Sequence, residues 1–110
     1  MQFIDNCPLY RLVNITGPTH NLLGLQISLE PKMEQPQIEA LEIDSTKPAR
    51  LSDREVAEQV MLGVDDACRE LNRMYYVEKI QYVRADTPPA RIYRTLAMEL
   101  MRRIDGARAH

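Results

Sequence analysis

The sequence predicts an α+β fold: a two-layer sandwich in the order β-β-β-α-β-α, with a mostly antiparallel sheet carrying two helices on one face. Three observations predict it. Apolar and polar residues alternate with a period of two in the N-terminal half, and a capped apolar stripe at helical spacing follows Leu51. A β-branched and aromatic run then separates that stripe from a second one.

In the first half, Leu9 to Ile15 and Leu22 to Leu29 are apolar runs joined by Thr16-Gly17-Pro18-Thr19-His20-Asn21, a segment dense in turn formers. They predict a hairpin with a long loop. In the second run Leu23, Leu25, Ile27 and Leu29 alternate with Gly24, Gln26 and Ser28, which sets one face on a core and leaves the other polar. Pro31 and Pro36 make Glu30 to Gln37 an exposed connection, because proline has no N–H for a central ladder. Ile38 to Ile43 supplies a third strand, and Asp44-Ser45-Thr46-Lys47-Pro48 a loop.

The first helix opens with the capping box Ser52-Asp53-Arg54-Glu55, flanked by Leu51 and Val56 at the spacing of a hydrophobic staple. Val56, Ala57, Val60, Met61, Val64, Ala67, Cys68, Leu71 and Met74 fall on one arc, with Glu55, Glu58, Asp65, Asp66, Arg69 and Arg73 opposite. Gly63 interrupts the helix interior at a cost of about 1 kcal/mol relative to alanine. Asp65 and Arg69 stand at the i,i+4 spacing of a weak pair. A fourth strand runs from Tyr76 to Arg84. Thr87-Pro88-Pro89 then reads as an N-cap and first turn, and Ile92, Tyr93, Leu96, Ala97, Leu100, Met101 and Ile104 as a buried stripe. Arg102 and Arg103 complement the dipole of the last turn, and Gly106 supplies a left-handed end.

That element order resembles the superfamily typified by the second domain of ribosomal protein S5. The resemblance covers element order alone, so it implies a fold and no activity. At 110 residues and 45% hydrophobic content the chain, residues 1–110, is expected to form a single α+β domain with one core. A net charge of −2 gives no reason to expect nucleic acid, and no run reaches the roughly 18 apolar residues of a membrane span. With no signal-peptide pattern at Met1-Gln2-Phe3-Ile4-Asp5, the expected location is cytoplasmic, with Cys7 and Cys68 as reduced thiols.

Chemistry has two candidate places. The Thr16–Asn21 segment gathers hydroxyls, an amide and His20, a residue suited to general acid–base work, with Thr19, Asn21 and Asp86 as ligand-binding companions. At the Arg84-Ala85-Asp86-Thr87 junction, Pro88 and Pro89 remove donors and Asp86 repels anions, which argues against a phosphate cradle. Cys7, His20, Cys68 and His110 have no paired metal-ligand spacing, so neither metal nor cofactor is expected. No serine-hydrolase, P-loop or dinucleotide-binding motif occurs.

The outer faces of the two helices carry opposite charge, acidic on the first and Arg91, Arg94 and Arg102 on the second. Leu62 and Met98 stand among these charges as apolar knobs. The sequence therefore leads to a small soluble protein that self-associates or serves as an accessory subunit, with Leu62, Arg91, Arg94, Met98 and Arg102 at the interface. Neutralisation of the two faces within one molecule is the competing expectation. The alternative function is a small enzyme or small-molecule-binding domain whose site lies at Thr16–Asn21 and is completed between subunits.

Overall fold

The computed structural model describes residues 1–16, 19–31, 35–42 and 46–108, and leaves the side chains of Thr16 and Thr19 undescribed. Its elements are β1 (Gln2–Asn6), β2 (Leu9–Thr16), β3 (Thr19–Ser28), β4 (Gln37–Leu41), α1 (Asp53–Leu71), β5 (Tyr76–Val83) and α2 (Ile92–Arg108). The strands form one mixed sheet in the order β1-β2-β3-β5-β4, antiparallel except for the parallel β4–β5 pair. The α+β class, the two helices and the mostly antiparallel sheet are as the sequence predicts.

Period-two alternation sorts the sheet. Tyr10, Leu12, Leu23, Leu25, Ile80 and Tyr82 turn toward the helices and are buried. Val56, Val60, Val64 and Ala67 of α1 and Tyr93, Leu96, Leu100, Met101 and Ile104 of α2 meet them in one core. Each fully buried aliphatic or aromatic side chain contributes about 1.5–3 kcal/mol. The opposite sheet face carries a polar row: Lys79 pairs with Glu39 at 2.6 Å, Glu39 accepts from Gln81 at 3.0 Å, and Gln81 accepts from Arg11 at 3.1 Å and 3.2 Å. Arg11 reaches Gln81 across β3 only because Gly24 lies between them. A Cβ there would stand 3.0 Å from Gln81 Oε1 and 3.4 Å from Arg11 Cγ.

Several local expectations are corrected. An edge strand, β1, precedes the predicted three; its two apolar residues, Phe3 and Ile4, fall on opposite faces and leave no alternation to read. The hairpin loop is short, since Thr16 pairs with Thr19, Ile15 with His20 and Asn14 with Asn21, and only Gly17 and Pro18 lie outside the described residues. His20 and Asn21 are thus strand residues. Lys32–Glu34 in the Glu30–Gln37 connection, Ile43, Asp44 and Ser45, which the sequence assigns to the third strand and its loop, and His110 also lie outside the described residues.

In α1 the Ser52 half of the capping box is as read, with Glu55 N–H donating to Ser52 Oγ at 3.3 Å. The helix ends earlier than its apolar arc suggests, because Asn72 takes a left-handed conformation (φ 54°) and closes it by donating its backbone N–H to Cys68 O. Met74 consequently leaves the buried arc and is 65% exposed. α2 begins at Ile92, after turns in which Ile92 N–H donates to Pro89 O and Tyr93 N–H to Ala90 O, so Thr87 is not its N-cap. Gly106 lies within α2, which runs on to Arg108, so Arg102 and Arg103 stand more than a turn from its end.

Gly63 has the larger consequence. A Cβ at that position would stand 2.3 Å from Arg94 O and 2.8 Å from Ala97 Cβ, so glycine is what lets α1 and α2 touch backbone to backbone. Its intrinsic helix cost is the smaller effect. Gly63→Ala is expected to lower stability by about 1–3 kcal/mol in urea denaturation, the usual range for overpacking. Stability equal to the wild type would contradict the close approach.

Candidate functional site

Two places combine exposed or unusual groups with defined geometry: a polar cluster where β3 begins, and a groove along α1.

The cluster forms because the Asp86-Thr87 turn folds back on the first residues of β3. Thr87 N–H donates to His20 O at 3.1 Å, and His20 N–H donates to Thr87 Oγ1 at 3.1 Å. Asp86 Oδ2 accepts from Leu22 N–H at 2.8 Å and lies 3.4 Å from Tyr93 Oη. Fully buried Asn21 donates to Thr87 O at 2.8 Å and reaches Tyr93 Oη at 3.5 Å. The expected companions His20, Asn21 and Asp86 do come together, while the Thr19 side chain is not described. Tyr93, which the sequence places on a buried stripe, joins them. The signal was available, because a buried tyrosine needs a partner for its hydroxyl.

Electrostatics place the cluster's chemistry inside the fold. Burial holds the Asp86 carboxyl above the usual carboxylate range, opposed by the Leu22 N–H and by the charges of His20 and Lys47. Burial likewise raises the Tyr93 phenol, keeping it a neutral donor. The donors and acceptors are spent on one another, apart from Asn21 Oδ1, the one buried side-chain polar atom without a partner among the described residues. The His20 side chain is exposed. Among the described residues no three His, Cys, Asp or Glu side chains are grouped to hold a metal. The arrangement ties β3 to the approach of α2.

The groove, about 580 Å³, lies between α1 and the start of β5. Pro36, Met61, Leu62, Val64, Cys68 and Met74 give it an apolar lining, with Asp65 and Arg69 beside them. Leu62 is 42% exposed and Met74 65%. Exposed Leu29 follows Ser28, the partner of Tyr76 in the sheet, so it belongs to the same sheet end. Met74 and Leu29 were missed as surface residues because each continues an apolar pattern just past the end of its element.

The residues expected at an interface separate. Arg94 pairs with Asp66 at 2.7 Å, and Arg102 makes a fork with Glu70 at 2.7 Å and 2.9 Å. These partners lower Asp66 and Glu70 below the usual carboxylate range. Met98 is half-buried against the core, whereas Arg91 and Leu62 are exposed. Arg69 pairs with Asp66 at 2.8 Å instead of the expected Asp65. Two of the three arginines, Arg94 and Arg102, are therefore engaged by α1 carboxylates within one molecule. Set against protein-family models, curated proteins and solved structures, the chain matches none. No helix of the described residues is long and apolar enough to cross a membrane.

Because the folded pKa of Asp86 is raised, its contribution to stability is full below the unfolded carboxylate range and falls as pH rises through the folded value. Asp66 and Glu70 act in the opposite sense, losing their contribution as pH falls. Asp86→Asn keeps an oxygen for the Leu22 N–H and cannot ionise. Its stability relative to the wild type should therefore increase between about pH 3 and about pH 7. A difference independent of pH in parallel denaturant titrations would show that the carboxyl is not perturbed.

Proposed function

We propose that the protein acts by association, as a self-associating or accessory subunit, and that α1 and the groove beside it are the docking side. The observation that carries this is the exposure of Leu62 and Met74 on an apolar groove whose edge holds both signs of charge. The other large surfaces fit less well. Arg94 and Arg102 on α2 are engaged by α1, and the helix-free sheet face is bridged by the Lys79, Glu39, Gln81 and Arg11 row.

The small-molecule reading keeps one observation in its favour, the unpartnered Asn21 Oδ1 beside His20. It calls for a ligand that raises thermal stability in the wild type and not in His20→Ala.

Leu62→Lys tests the association. Lysine at this exposed position gains Glu58 and Asp66 as neighbours one turn away on either side, so the fold is retained while an apolar contact is lost. By native mass spectrometry, gently purified wild-type protein should appear in a defined assembly, and Leu62→Lys as single chains with an unchanged unfolding midpoint. Equal masses for the two would overturn the reading.

A further inference from the structure

We propose that the partner on α1 is a second copy of this chain, with the two α1 helices antiparallel across a two-fold axis near Ala67. The proposal rests on α1 being the docking side and names its occupant. In a two-fold interface residue i meets j while j meets i, so a surface fits its own copy only if complementary residues are placed symmetrically about one point.

A charged pair on α1 satisfies that condition, and exposed apolar residues of this side flank the same point. Asp65 and Arg69 are exposed and oppositely charged, and the midpoint between them is Ala67. Among the described residues Asp65 has no ion-pair partner; Arg69 holds Asp66 through one nitrogen and is otherwise open to solvent. Leu62 on α1 and Met74, just past its end at Leu71, are exposed apolar residues that line the same groove on either side of that point. One antiparallel register therefore sets Asp65 against Arg69 of the second copy twice over, and lays Leu62 over the end of the other α1, beside its Met74. In that register no carboxylate of α1 faces another.

The neighbouring charges agree with it. Asp66 and Glu70 are occupied by Arg94 and Arg102, and Arg73 by Asp105 at 3.2 Å, so Asp65 and Arg69 are left to select the register. An unrelated partner would need only one half of this arrangement.

Sedimentation equilibrium of the purified chain tests the proposal. The wild type should dimerise reversibly. Asp65→Arg and Arg69→Asp should each weaken the dimer by roughly tenfold or more, since each sets like charges together twice. The double variant Asp65→Arg/Arg69→Asp, which exchanges the two charges, should restore it to within about threefold, the spread expected where other contacts are unchanged. Arg91→Glu, with the same charge change as Arg69→Asp but in the turn before α2, should leave it intact. A dimer indifferent to either single reversal, one not rescued by the double variant, or one equally weakened by Arg91→Glu would overturn the second-copy register. A chain that stays monomeric would overturn it too. The association reading survives that result if the native assembly still depends on Leu62, and falls with it if not.

Discussion

The close approach of α1 to α2 at Gly63 is the constraint on which the helical layer depends. With Arg94 O and Ala97 Cβ occupying the space a side chain would need, the backbone of α1 packs directly on α2 at this point. That contact brings Arg94 to Asp66 and Arg102 to Glu70, and it sets the buried stripes of both helices on the same sheet face. The ion pairs are exposed and individually weak, worth about 0–1 kcal/mol each in general, so they follow from the packing more than they cause it. Their effect is on the surface: they remove α2 from the list of free charged faces and leave α1 with Leu62, Asp65 and Arg69 outward.

What was legible in the sequence was local and periodic. The Ser52 cap, the apolar arc from Val56 to Cys68 and the alternation through Leu23, Leu25 and Ile27 each rest on a repeat that one segment supplies alone. The rest depends on partners distant in sequence. β1 is held by pairing with β2, and His20 and Asn21 become strand residues because the ladder of Ile15 and Asn14 continues. Gly63 looked like a local cost because the residue it admits lies on another helix.

The candidate site divides in the same way. His20, Asn21 and Asp86 were readable as neighbours from their position at one end of the sheet, and they do meet. Their direction was not readable. Asp86 is turned inward onto the Leu22 N–H and Asn21 onto Thr87, a geometry set by the Asp86-Thr87 turn folding onto β3. Polar groups satisfied in this manner rigidify a fold more than they offer a site. Conversely, Met74 seemed interior by periodicity and is exterior because Asn72 ends the helix first.

The cluster at Asp86 is thus turned inward while the groove beside α1 carries exposed apolar residues, and this contrast is the basis of the proposal that the protein associates through α1. A concentration series of amide NMR spectra on the isolated chain tests that assignment most directly. Concentration-dependent shifts confined to α1 from Leu62 onward and the residues that follow it to Met74, with Tyr75 and Tyr76 beside the same groove, are the expected result. Shifts centred on α2 or on the Arg11–Gln81 face of the sheet, or none at any concentration, would contradict it.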